Sequence, residues 1–155
     1  QSAIWKRPAP DTIPTDAKAA GLYMICTLSK HEAEKNGFTD ALMLDYKGRV
    51  AESTGANIFF VIGGEIHTPI PDCFLNGITR QTVIDLASQQ GMKVVERDIY
   101  PDEIQNAEEI FLTGSAVEVT PVGKINDQTF KVGDITSKIL NSYMKEVDPN
   151  YQESN

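Results

Sequence analysis

The sequence lacks the long apolar run that a membrane helix needs, and it lacks an excess of basic residues. No hydrophobic stretch approaches the roughly 18 residues of a membrane span. Aspartates and glutamates number 22 against 14 lysines and arginines, which gives a formal net charge of -8. That charge argues against a nucleic-acid backbone or an anionic membrane surface as a partner.

Cysteine is scarce as well, with only Cys26 and Cys73 and no Cys-x-x-Cys pattern. Cys26 lies in an apolar run, so we predict buried, reduced thiols and a cytoplasmic location. The chain has no initiator Met, and its first residues do not form a signal peptide. We therefore expect it to be a piece of a longer protein. No metal site is predicted.

What is present fits one globular domain, because 155 residues with 41% hydrophobic content can bury a single core. Residues 1–14 are predicted to be an extended lead-in, since the prolines within residues 6–14 exclude a helix interior. Residues 15–147 are expected to form the domain, and residues 148–155 a polar C-terminal tail.

A helix is predicted after the lead-in, capped by Thr15 or Asp16 and ended by Gly37. Its first half is apolar nearly all round and its second half is polar, so we expect it to start inside the protein. Lys18 falls in the first turn of the apolar half. A lysine there either extends its ammonium group to solvent or is buried with a depressed pKa, which makes the amine nucleophilic.

The stretch from Val50 to Phe60 holds one carboxylate between two apolar runs. Residues 41–45 are typical of a buried strand, Lys47-Gly48 of a tight turn, and residues 58–62 of a second strand. Glu52 is therefore predicted to end a strand. A buried carboxylate costs free energy unless a cation or a donor meets it, so Glu52 is either a solvated glutamate or a site residue.

Two glycine-containing segments could bind an anion. Gly77-Ile78-Thr79 is predicted to open a helix that Gly91 closes, and free N–H groups at such a start suit a phosphate. The alternative is an ordinary helix start with Thr79 as its cap. Residues 113–116 follow a predicted strand at residues 109–112, and small hydroxyl residues around a glycine form a second anion site or a plain turn.

The remaining elements follow from alternation, turn residues and a final amphipathic segment. They are a strand at residues 93–99, a helical turn from Pro101, a strand at residues 117–122, a hairpin tip at Asn126-Asp127, and a helix at residues 135–147 capped by Asp134.

Four motifs occur in an order that is found in one known family. They are Lys-Ala-Ala-Gly-Leu-Tyr (18–23), Val-Ala-Glu-Ser-Thr-Gly-Ala-Asn-Ile-Phe (50–59), Leu-Asn-Gly-Ile-Thr-Arg (75–80) and Phe-Leu-Thr-Gly-Ser-Ala-Val-Glu-Val-Thr-Pro-Val (111–122). Together they closely resemble the class IV (fold type IV) pyridoxal-phosphate aminotransferases, most of all the branched-chain amino acid aminotransferases. The resemblance covers only the larger, C-terminal domain of that family, so the smaller N-terminal domain is expected to be missing.

The resemblance implies an α+β fold with mixed and antiparallel sheets in a pseudo-barrel with flanking helices, the large domain of the D-amino acid aminotransferase-like fold. It implies pyridoxal 5'-phosphate as cofactor, amino acids and 2-oxo acids as substrates, and a homodimer. The implied reaction is transamination of branched-chain L-amino acids with 2-oxoglutarate. An aminodeoxychorismate lyase-like enzyme, a D-amino acid aminotransferase and a non-catalytic cofactor-binding or dimerising fragment stay open.

The resemblance also implies three roles at the reactive end of the cofactor. Lys18 would be the catalytic residue, bonded covalently to the cofactor, and Tyr23 would hydrogen-bond its phenolic oxygen. Glu52 would pair with the pyridine nitrogen. The family often has Asn where this chain has Leu22, so no polar contact is expected from that position.

At the other end, the resemblance implies that Gly77, Ile78, Thr79 and Ser115 bind the phosphate. Ser115 and Ala116 lie where the family also contacts the substrate carboxylate, so both are expected to bind substrate.

Overall fold

The computed structural model describes residues 1–152, and these residues form strands and helices in mixed order. The strands are β1 (Ser2–Arg7), β2 (Leu42–Asp45), β3 (Val50–Ser53), β4 (Asn57–Ile62), β5 (Glu65–Thr68), β6 (Val94–Glu96), β7 (Glu109–Gly114), β8 (Glu118–Pro121), β9 (Lys124–Ile125) and β10 (Gln128–Thr129). The α-helices are α1 (Met24–Lys35), α2 (Ile78–Gln89) and α3 (Asp134–Val147), and two short 3₁₀ helices span Ala20–Leu22 and Pro101–Asn106.

The central sheet has five strands in the order β6-β5-β4-β7-β8. The strand β4 is apolar from residue 58 to residue 62 because both faces of the sheet are covered there. Phe59 packs with Phe111 on the face that carries α2 and α3, with ring centroids 4.9 Å apart. Ile58 and Phe60 point to the other face, where they join a second core cluster with Leu42.

A second sheet has the order β1-β2-β3, with β1 parallel to β2 and β3 antiparallel to it. The chain passes from β3 to β4 through a bend in which the Ser53 N–H donates to the Ala56 carbonyl over 2.8 Å. The predicted α+β class with mixed and antiparallel sheets is confirmed, although the sheets of residues 1–152 do not close a barrel. No helix in this range is long and apolar enough to cross a membrane.

The prediction that a helix starts at Thr15 or Asp16 is wrong. The first α-helix begins at Met24, and the Thr15 hydroxyl donates to the Asp72 carbonyl over 3.2 Å instead of capping a helix. Gly21 lies within the 3₁₀ helix that precedes α1, and glycine lowers α-helix stability by roughly 1 kcal/mol. The predicted end is confirmed, because α1 stops at Lys35 and Gly37 takes the left-handed conformation with φ of 81°.

The cap of the last helix also differs from the prediction. Asp134 is the first residue of α3, and the N–H groups of Ile135 and Thr136 donate to the carboxylate of Glu109 over 3.2 and 2.7 Å. A buried glutamate from β7 therefore caps α3, and sequence proximity could not reveal a partner 26 positions away.

Three other predictions differ in extent. The predicted lead-in contains β1, which pairs with β2, so residues 2–7 are part of a sheet. The strand expected at residues 93–99 covers only Val94–Glu96. Within the predicted tail, the Tyr151 hydroxyl donates to Asn141 over 2.7 Å, and residues 153–155 lie outside the described part.

Candidate functional site

A cavity of about 270 Å³ opens between the second sheet, the 3₁₀ turn and the start of α2. Seven of the eight residues predicted as site residues line it, namely Lys18, Tyr23, Glu52, Gly77, Ile78, Thr79 and Ser115. The eighth, Ala116, is exposed and does not line the cavity.

Lys18 lies in an irregular segment just before the 3₁₀ helix Ala20–Leu22. The prediction that it occupies the first turn of a buried helix is therefore wrong. Its side chain is exposed, so of the two alternatives the ammonium group reaching solvent is the one observed. The segment nevertheless places Lys18 at the wall of the cavity.

Glu52 lies on β3 as predicted and is 8% exposed. Burial raises the pKa of the Glu52 carboxyl to about 8. The charge of Asp40 raises this pKa as well, whereas the guanidinium of Arg7 lowers it. The Nε atom of Arg7 is 3.3 Å from Oε1 of Glu52. Desolvation therefore outweighs this one ion pair, and the cavity wall holds a carboxyl group that ionises only with difficulty.

Arg7 is one residue of this site that the sequence does not reveal. It comes from β1 and is 3% exposed. Its Nη1 donates to the Leu22 carbonyl over 3.0 Å and to the Cys26 sulfur over 3.4 Å, and its Nε donates to the Cys73 carbonyl over 3.3 Å. An arginine in a Pro-containing lead-in carries no local signal of burial, since its partners are distant in sequence.

Tyr23 links the 3₁₀ helix to α1 and is partly buried. Burial raises the pKa of its phenol, and the nearby charge of Glu52 raises it further, while Arg7 opposes both. The phenol is therefore a neutral hydrogen-bonding group at physiological pH.

The N-terminus of α2 forms the opposite wall. Its cap is Gly77, no side chain caps the helix, and the Gln81 N–H donates to the Gly77 carbonyl over 3.1 Å. The N–H groups of the preceding helical residues have no partner within the helix, which suits an anion. The alternative with Thr79 as cap is not observed, because Thr79 lies one residue inside the helix.

Asn57 holds this helix start in place. Its Oδ1 accepts the Gly77 N–H over 3.2 Å, and its Nδ2 donates to the Leu75 carbonyl over 2.9 Å. A Cβ at position 77 would stand 2.5 Å from Oδ1 of Asn57, so any larger residue there would displace the Asn57 amide.

Gly114 at the end of β7 and Ser115 in the turn that follows complete the wall. Thr113 also lines the cavity, and its Oγ1 is buried without a hydrogen-bond partner among the described residues. A buried hydroxyl without a partner costs free energy, so this atom is a candidate contact for a polar ligand.

A family model described as amino-transferase class IV matches residues 3–125. The chain belongs to the class IV aminotransferases. A relative named a probable branched-chain-amino-acid aminotransferase, from Rickettsia felis, is 44% identical over 122 residues, which is 79% of this chain and 42% of the relative.

Two solved structures of aminotransferases are similar to this chain in fold. A branched-chain amino acid aminotransferase from T.th., complexed with N-(5'-phosphopyridoxyl)-L-glutamate, matches with a TM-score of 0.93 and 35% identity, over 97% of this chain and 52% of that one. An aminotransferase from Brucella abortus bound to the cofactor PLP matches with a TM-score of 0.89 and 37% identity, over 94% and 52%. This class IV aminotransferase chain therefore spans about half the length of its relatives.

Proposed function

We propose that this chain carries the cofactor-binding part of a pyridoxal-phosphate-dependent aminotransferase that transfers amino groups between branched-chain L-amino acids and 2-oxoglutarate. The observation that carries the proposal is the cavity in which an amine, a phenol, a buried carboxyl and a helix N-terminus meet. Family membership and the branched-chain relatives support the reaction class and the substrate class.

The donor set of the cavity fits pyridoxal phosphate. The phosphate would find the free N–H groups at the start of α2 and the unpartnered hydroxyl of Thr113. The ring nitrogen, when protonated, would offer Glu52 a second cation beside Arg7, which offsets the cost of burying the carboxylate. The exposed amine of Lys18 is free to reach an aldehyde.

Lys18 has two tasks in this proposal. Its amine would hold the cofactor at the aldehyde carbon, and Nζ, when it is not engaged there, would accept the proton from the substrate α-carbon. When bound, pyridoxal phosphate supplies an electron sink for the charge that develops on that carbon. Glu52 would keep the proton on the ring nitrogen, and Tyr23 would donate its phenolic hydrogen to the phenolic oxygen of the cofactor.

Gly77, Ile78 and Thr79 bind the phosphate in this proposal together with Ser115. Binding energy at this remote group positions the reacting carbon without taking part in the reaction. Ser115 keeps its second proposed task, the contact with the substrate carboxylate. Ala116 would share that contact only through its backbone, since its side chain has no polar atom.

The openness of the site favours a second candidate, a chain that binds the cofactor but turns substrate over poorly. Ile78 is 82% exposed although it lines the cavity, and Lys18 is exposed as well. Orientation of the substrate in a closed, water-poor site can supply roughly 7 to 11 kcal/mol. We propose that a smaller N-terminal domain and a second subunit of a homodimer provide this closure. We also propose a cytoplasmic location, which the buried free thiols of Cys26 and Cys73 support.

The test adds pyridoxal phosphate to the chain and then assays leucine with 2-oxoglutarate. We expect a visible absorption band that Lys18→Ala abolishes and Lys30→Ala preserves, followed by slow formation of glutamate. Absence of the band in the unaltered chain would overturn the proposal. Pyruvate release without an added oxo acid would identify the lyase, and exclusive use of D-leucine would identify the D-amino acid enzyme.

A further inference from the structure

We propose that Arg7 is a positioning residue of this site, whose guanidinium holds Glu52 and at the same time ties together the two segments that carry Lys18 and Gly77. The inference deepens the proposed function and rests on it for the ligand that Glu52 meets. Arg7 also lines the cavity, and in this inference it acts through the groups that it holds rather than by contact with the substrate.

The contacts of Arg7 join three parts of the cavity wall. Its Nε is 3.3 Å from Oε1 of Glu52 on β3. Its Nη1 donates to the carbonyl of Leu22 over 3.0 Å. Leu22 ends the 3₁₀ helix and follows Lys18 by four positions. The Nε of Arg7 donates to the carbonyl of Cys73 over 3.3 Å, and Cys73 lies in the loop that leads into Gly77. A planar guanidinium can serve several acceptors in fixed directions, whereas the ammonium of lysine is a point charge.

The charge of Arg7 also counteracts the effect of a second carboxylate, that of Asp40, on the pKa of Glu52. Asp40 lies near Glu52, and its Oδ1 accepts the Ala41 N–H over 2.8 Å and a short hydrogen bond from the Thr54 hydroxyl. Arg7 lowers the pKa of Glu52 while Asp40 raises it. Tyr23 and Cys26 are the other titratable groups coupled to this pair, and burial raises the pKa of each of them. Arg7 is therefore the cation that resists protonation of Glu52.

The experiment follows the titration of the Glu52 side-chain carboxyl by carbon NMR in the chain without cofactor, with Glu52→Gln to assign the signal. Arg7→Gln should move the midpoint upward by about 1 to 3 pH units, the effect of one close opposite charge. Asp40→Asn should move it downward. Arg97→Gln removes a partly exposed guanidinium that pairs with Glu103 over 2.8 Å and does not contact Glu52, and it should leave the midpoint unchanged.

The affinity for pyridoxal phosphate is then measured for the same variants. Arg7→Gln should weaken it by about 10-fold or more, the worth of a charge-assisted hydrogen bond. Arg7→Lys should bring the Glu52 midpoint close to that of the original chain, because it keeps the positive charge. It should not recover the affinity for pyridoxal phosphate, because it loses the contacts with the Leu22 and Cys73 carbonyls.

Two results would overturn the inference. The first is an unchanged Glu52 midpoint in a folded Arg7→Gln variant. The second is full affinity in Arg7→Lys, which decides the matter even if Arg7→Gln does not fold. Because the titration contains no cofactor, failure of the unaltered chain to bind pyridoxal phosphate would refute the proposed function and leave the coupling of Arg7 to Glu52 standing.

Discussion

Burial of Glu52 predicts a specific dependence of stability on pH. The pKa of this carboxyl is raised by burial from 4.5 to about 8 in the folded chain. The folded state therefore binds the proton more tightly than the unfolded state does. Its contribution to stability is complete below pH 4.5 and is lost progressively as the pH rises from 4.5 to 8. The shift of about 3.5 pH units, at about 1.4 kcal/mol each, amounts to about 5 kcal/mol.

Glu52→Gln removes this loss, because an amide of the same shape does not titrate. The unfolding free energy of the variant minus that of the original chain should increase by about 5 kcal/mol between pH 4.5 and 9. Urea unfolding at half-unit pH intervals measures this difference. The contributions of the other charged groups to the unfolding free energy are present in both chains and largely cancel in this difference.

Glu65→Gln is the matched control for this experiment. Glu65 forms an exposed ion pair with Lys93 over 2.8 Å, so its removal should shift stability by less than about 1 kcal/mol at every pH. Parallel curves for Glu52→Gln and the original chain between pH 4.5 and 9 would refute the reasoning, since they would show that Glu52 ionises normally in the folded state.

Three further substitutions test contacts on which the fold of the site depends. Gly77→Ala should cost about 1 to 2 kcal/mol by displacing Asn57 from its two hydrogen bonds, and the cost should shrink in an Asn57→Ala background, as a double-mutant cycle would measure. Arg49→Gln should cost about 3 to 5 kcal/mol in urea unfolding, because it leaves the buried carboxylate of Asp45, 2.5 Å from Nε, without its cation. Glu109→Gln should cost about 1 to 2 kcal/mol by removing the charge that caps α3, seen as a lower midpoint with an unchanged denaturant slope.

The sequence predicts those elements whose signals are local. The strand of Glu52 and the hairpin at Asn126-Asp127 follow from apolar runs and turn residues, and both occur as predicted. The start of α2 at Ile78 follows from the glycine before it. In each case the chain within about ten residues determines the backbone conformation, so pattern and structure agree.

The failures involve partners that are distant in the chain. Arg7 is buried because Glu52 and two backbone carbonyls from other segments meet it, and nothing near residue 7 indicates this. Glu109 replaces the expected cap of α3 for the same reason. The small apolar residues around Lys18 predict a helix, but small residues also suit an irregular segment at a cavity wall. Periodicity alone does not separate these two cases.

The central claim is that Lys18 is the amine that holds pyridoxal phosphate. Borohydride reduction of the chain with bound cofactor, followed by peptide mapping, tests it most directly, since reduction makes the bond permanent and the peptide identifies the residue. We expect a pyridoxyl label on Lys18 and none on the neighbouring Lys30 or Lys35. A label on either of those lysines, with Lys18 unmodified, would contradict the claim.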